Sequence, residues 1–91
     1  MDNQTLIEAF VIFTGLLMSV GYLPQIIKIF RRKSVADISP ITFLILAFGM
    51  SVWLVYGFYI SDKPLIVTNT TALAFITTIL VQYFLYRKKK T

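Results

Sequence analysis

Charged positions along this chain fall in short clusters, separated by long uncharged stretches. Residues 9–27, 38–61 and 64–86 contain no Asp, Glu, Lys or Arg and are rich in Leu, Ile, Val and Phe. A helix needs about 20 such residues to cross the roughly 30 Å hydrocarbon layer of a bilayer. The pattern predicts three transmembrane helices, near residues 6–30, 39–60 and 64–86. Their connections are brief: about Arg31 to Ile38, and then Ser61-Asp62-Lys63. Ser39-Pro40 fits a helix start, with serine as cap and proline at the first helical position, and Pro64 opens the third helix. The short second connection makes the last two spans antiparallel neighbours in sequence. The expected fold class is an all-α membrane protein, one three-helix domain over residues 1–91, without internal repeats or low-complexity segments.

Composition agrees with this reading. The chain is 57% hydrophobic and 14% charged, against about a quarter charged in soluble domains. A net charge of +5 invites a nucleic-acid reading until its placement is considered. Lys28, Arg31, Arg32 and Lys33 follow the first span, and Arg87, Lys88, Lys89 and Lys90 follow the third. Only Lys63 lies in the second connection, and no Lys or Arg precedes residue 28. This alternation is the positive-inside pattern, which puts the N-terminus outside and the first loop and C-terminus in the cytoplasm. The basic clusters read as topology signals touching anionic lipid headgroups, not as a nucleic-acid surface or a substrate site. With no basic residue ahead of it, the first span reads as a membrane helix of the cell (inner) membrane rather than a secretory signal.

Several chemistries are missing. The chain has no cysteine and no histidine, which removes disulfides, thiolate chemistry, the commonest metal ligand and the usual general base near neutral pH. No phosphate loop or nucleotide motif is present. No enzyme activity, cofactor or metal is expected. No acid or base lies deep in a span, since Glu8, Asp37 and Asp62 sit at ends, so the titratable group of a proton-coupled carrier is lacking.

What remains is polar, aromatic and conformational. Pro24-Gln25 interrupts the first span in the run Gly21-Tyr22-Leu23-Pro24-Gln25. A mid-helix proline gives the carbonyl four residues back, that of Val20, no donor, a break tolerated in a membrane where neighbours or water satisfy it. Trp53 lies near the middle of the second span, at the expected midplane, where its N–H needs a partner helix or a ligand, with Gly49 and Gly57 one turn to either side, where small residues permit close approach. Asn69 brings an uncharged amide into the third span. Each has a bland reading as helix packing or interhelical glue. Together, an aromatic face for C–H groups and an amide for hydroxyls suit a neutral, hydroxyl-rich solute.

The ordered set of Pro24-Gln25, Ile38-Ser39, Trp53-Leu54-Val55-Tyr56-Gly57 and Asn69, over essentially the whole chain, resembles the bacterial SemiSWEET sugar transporters of the PQ-loop group. The resemblance implies a bundle in helix order 1-3-2 and a parallel homodimer around a central pathway. Independently, three helices are too few to enclose a sugar-sized route, so a symmetric partner is needed. By the family's pattern Trp53 and Asn69 bind the sugar and Pro24 is the hinge. The resemblance further implies that Gln25 steadies the broken helix or its contact with a neighbour, that Tyr56 and Asp62 belong to the outer gate, and that Thr42, Phe43 and Leu46 lie at the inner gate. Relatives carry a basic residue in the outer gate where this chain has Ile60. The implied function is uncoupled, bidirectional movement of a mono- or disaccharide by alternating access. Two other readings stay open: a PQ-loop carrier for another small solute such as an amino acid, and a non-transporting small membrane subunit.

Overall fold

A computed structural model of the chain describes residues 2–87. Four helices in chain order build it: α1 (Asn3–Val20), α2 (Leu23–Arg32), α3 (Pro40–Tyr59) and α4 (Lys63–Tyr86). α1 and α2 together form the first span, Asn3–Arg32, and α3 and α4 form the other two; all three are long and apolar enough to cross a bilayer. The molecule is a multi-pass membrane protein. Its long dimension is 56 Å, and most of its large apolar side chains face outward, as they do when lipid rather than water surrounds the helices. Arg87 closes the described part; Lys88, Lys89 and Lys90, the rest of the second basic cluster, lie outside the described residues.

Side chains set the helix starts. Asp2 caps α1 by accepting the Thr5 N–H at 2.8 Å, so the first helix starts before the expected residue 6. Ser39 caps α3 through the Thr42 N–H, 3.3 Å, and Asp62 caps α4 through the Leu65 N–H, 3.0 Å. Pro40 and Pro64 sit in the first turns of their helices, where a missing N–H loses nothing.

The first span differs from a continuous helix with a proline kink. α1 stops at Val20, and Pro24 lies in the first turn of α2. Between them Gly21 and Tyr22 tighten the chain, with Gly21 N–H donating to Met18 O at 3.1 Å and Tyr22 N–H to Ser19 O at 3.0 Å. The reason is that Pro24 supplies no donor to the Val20 carbonyl. The preceding turn responds by contracting to a three-residue spacing, and the four-residue ladder resumes when Ile26 donates to Tyr22 O at 3.1 Å. The break therefore falls at Gly21-Tyr22, ahead of the proline that causes it.

α4 is the common partner of the other helices. It contacts α1, α2 and α3, whereas no residue pair joining α3 to α1 or α2 comes within 8 Å, Cα to Cα. Two glycines permit the approach. A methyl group on Gly15 of α1 would fall inside the Thr68 side chain of α4, and one on the buried Gly57 would reach the Cβ of Leu65 at 3.0 Å. Gly49 meets nothing within 4 Å, so only one of the two glycines flanking Trp53 serves packing within the protomer. An apolar core lies at the basic-loop end, where Ile29, Val35, Ile38 and Ile79 are buried together against Tyr22, Ile26, Phe43, Tyr83 and Tyr86.

The α3–α4 turn is a six-residue closure. Asp62 N–H donates to Gly57 O at 2.8 Å and Ser61 N–H to Phe58 O at 3.3 Å, with Ser61 at φ 55°. That left-handed conformation disfavours any side chain. Ser61→Gly is therefore expected to stabilise the fold by about 0.5–1 kcal/mol, allowing for glycine's greater chain entropy. Thermal unfolding in detergent would read this as a rise of a few degrees; a fall would show that the Ser61 hydroxyl does more than tolerate the turn.

A candidate solute site in the helix bundle

Trp53 and Asn69 come to the same depth because α3 and α4 run antiparallel from a short turn. Each lies six residues from the turn end of its helix, about 9 Å along the axis at 1.5 Å per residue. That places both in the half of the span nearer the α3–α4 turn, rather than at the midplane. Within one protomer they line separate depressions. Asn69 faces a cavity of about 240 Å³ between helices, with Gly15, Met18 and Ser19 of α1, Tyr22 of the break, Met50 of α3 and Thr68 and Ala72 of α4. Trp53 lines a shallow groove with Val52 and Tyr56 on the outer face of α3.

The polar capacity of the Asn69 cavity can be counted group by group. Asn69 Nδ2–H donates to Leu65 O at 2.9 Å and the Thr68 hydroxyl donates to Pro64 O at 2.7 Å, each turned back on its own helix. The Asn69 carbonyl oxygen and second N–H have no hydrogen-bond partner among the described residues, and an amide has two donors and an acceptor. Ser19 of α1 and Tyr22 of the break add hydroxyls to the wall. Sequence reasoning passed over both. Their signal was periodicity: Gly15, Met18, Ser19 and Tyr22 stand at i, i+3, i+4 and i+7, one face of a helix. No charged side chain lines this cavity.

Trp53 is 56% exposed. Its ring meets Tyr56 edge to face, centroids 5.9 Å apart and planes at 84°, a favourable aromatic geometry. Its indole N–H has no hydrogen-bond partner among the described residues. A large ring with an unpaired N–H on an open face inside a membrane span leaves its polar end for a ligand or a second chain.

The other sequence-derived residues fall at the two ends. Asp62 caps α4 and borders a groove with Ile7, Glu8 and Val11 of α1, while Tyr56 meets Trp53 edge to face; Tyr56 and Asp62 line different depressions of the protomer. Ile60 ends α3, and Lys63, the one cation of that connection, forms no ion pair among the described residues. At the other end the Thr42 hydroxyl is tied to Ser39 Oγ at 3.0 Å, Phe43 packs against the apolar cluster, and Leu46 is half-buried. Pro24 lies on the exposed face of α2, bordering a groove with Ile27, Lys28, Arg31 and Arg32.

The side chain of Gln25 makes no hydrogen bond among the described residues. A hydrogen bond onto the broken span comes from Gln82, a residue not singled out from the sequence. Lys28 Nζ pairs with Asp37 at 3.1 Å across the loop. The ammonium's hydrogen bond holds the Asp37 carboxyl below its ordinary 3.8. A depressed folded-state value means this contribution is present above the ordinary value and lost as pH falls through the folded one. Both groups are exposed, so it is small.

Comparison with known proteins places this arrangement. The PQ loop repeat matches residues 6–66, and the chain is 38% identical to the sugar transporter SemiSWEET of Bradyrhizobium diazoefficiens over 75% of its own length and 79% of that protein's. The chain belongs to the SemiSWEET family of PQ-loop proteins. The SemiSWEET sugar transporter of Leptospira biflexa is also 38% identical, over 70% of this chain and 75% of that one. A crystal structure of a bacterial homologue of SWEET transporters superposes with a TM-score of 0.83 at 31% identity, covering 89% of this chain and 98% of that one. The SemiSWEET fold accordingly extends over most of the chain.

Proposed function

We propose that this SemiSWEET moves a neutral sugar, a mono- or disaccharide, across the cell membrane without ion coupling, by alternating access in a parallel homodimer. The observation that carries the reading is the matched depth of Trp53 and Asn69, each with unused hydrogen-bonding capacity. An apolar ring face and a free amide at one level suit a hydroxyl-rich, uncharged solute. The relatives' own names point the same way. The Asn69 cavity, at about 240 Å³, is below the roughly 300–1,000 Å³ of ordinary small-molecule pockets. One protomer offers part of a site, and a second copy related by an axis along the membrane normal supplies the rest.

In this account Trp53 and Asn69 of both copies contact the sugar, with α4 lying between α1 and α3 in the order 1-3-2. The N-terminus is outside and the basic loop cytoplasmic, by the charge pattern. Pro24 and the Gly21-Tyr22 break form the hinge. Tyr56 and Asp62 close the outer end, and Thr42, Phe43 and Leu46 close the inner end. The absence of a charged side chain from the Asn69 cavity favours a sugar over an amino acid, whose ammonium and carboxylate would need partners.

Counterflow of labelled sugar in liposomes holding the purified protein tests the proposal. Saturable exchange that ignores a proton gradient is expected; folded protein without exchange of any sugar would refute it. Pro24→Ala restores a donor for Val20 O and straightens the hinge. It is expected to slow turnover about tenfold or more while half-saturation moves less than about threefold. The reverse pattern would remove Pro24 from the hinge.

A further inference from the structure

We propose that Gln82 is a positioning residue for the mobile half-helix: its amide fastens α2 to α4 in the conformation seen here and lets go when α2 swings. The proposal rests on the transporter reading for its consequence, but not for its geometry. Gln82 lies near the basic-loop end of α4 and is 8% exposed. Its Nε2–H donates to the backbone carbonyl of Ile26 at 3.0 Å, a link across 56 residues of sequence. Among the described residues it is the only hydrogen bond joining two of the helices. It lands two residues after Pro24, just past the break, on the segment whose movement alternating access requires.

The same amide is only half satisfied. Gln82 Oε1 is buried without a hydrogen-bond partner among the described residues, a penalty for this conformation, since a buried acceptor normally finds a donor. The opposite amide orientation would set oxygen against the Ile26 carbonyl, so the unpaired atom is the acceptor. Movement of α2 away from α4 breaks the bond to Ile26 O. It also opens the buried end of the amide to water, where both its atoms are served. One side chain thus favours the packed position through Nε2 and the open position through Oε1. That is how a bistable element is biased without a large barrier.

The test compares wild type with Gln82→Met, which keeps the length and removes both polar atoms, and with Gln82→Asn, which keeps the amide but is one methylene too short to reach. Replacing a half-satisfied amide with an apolar chain is expected to leave the melting temperature equal or higher. Hydrogen exchange over Leu23–Arg32 is expected to accelerate about fivefold in both variants, with α3 unchanged. Turnover in counterflow should shift about threefold or more while half-saturation stays within about twofold. Unchanged exchange in α2, or equal acceleration in α2, α3 and α4, would overturn the positioning role. If wild-type protein shows no counterflow the transporter reading fails, and the exchange comparison still decides whether Gln82 holds α2.

Discussion

Trp53→Ala is expected to abolish saturable sugar exchange at substrate concentrations that saturate the wild type. The ring is half exposed on α3, meets Tyr56 edge to face, and has no partner for its N–H among the described residues, so its removal is expected to leave much of the protomer's own packing in place. A ring covering a sugar face contributes enough that its loss lowers affinity by at least about tenfold. Two-fold symmetry would remove two rings at once. Asn69→Ala should weaken exchange in the same direction, about five- to tenfold for each hydrogen bond to the sugar that disappears. Its bond to Leu65 O lies within α4, so little stability goes with it. Equilibrium binding measured beside counterflow separates affinity from turnover. If Trp53→Ala transports normally with unchanged half-saturation, the site assignment is wrong.

The largest expected effect on stability is at Gly15. α1 is held chiefly against α4, and the two backbones approach where Gly15 meets Thr68 with no room for a Cβ. Small residues at such crossings are what permit helix association in lipid, where no hydrophobic force draws apolar helices together. Gly15→Leu must separate the helices or displace Thr68, and overpacking of this kind costs about 1–3 kcal/mol or more. In a chain this short that corresponds to a fall of roughly 10 °C or more in melting temperature. Gly49→Ala provides the contrast, because nothing lies within 4 Å of the added carbon and alanine is the better helix former. Any loss in that variant reports on a second copy or on substrate, not on packing within the protomer. A Gly15→Leu protein as stable as wild type would contradict the α1–α4 packing described here.

The features legible in the sequence were those with a one-dimensional signature. Uncharged stretches of membrane length gave the three spans, and Ser39-Pro40 and Pro64 gave two helix starts, because a cap and a first-turn proline act within one turn. The break in the first span was visible in Pro24, but its place was not. The proline sets the missing donor, and the chain yields one turn earlier, at Gly21-Tyr22. Gly15 was not legible as a contact, since a glycine in an apolar run does not say which neighbour it admits. Gln82 was missed for a related reason. Near the end of a span an amide reads as interfacial, and only the packing of α2 onto α4 turns it inward. Ser19 and Tyr22 were within reach, being in helical register with Gly15 and four to seven residues beyond it. The common depth of Trp53 and Asn69 follows from two antiparallel helices joined by a short turn, and the sequence contained both distances.

The central claim is that two copies share one sugar pathway lined by both Trp53 and both Asn69 side chains. Mixed dimers test it most directly. Wild-type and Trp53→Ala chains carrying different affinity tags would be co-expressed, and the species retaining both tags isolated and assayed by counterflow. A shared pocket predicts that the mixed dimer is recovered and exchanges sugar at well below half the wild-type rate, about one tenth or less. Recovery of no doubly tagged species, or a mixed dimer running at half the wild-type rate as two independent routes would, contradicts the account.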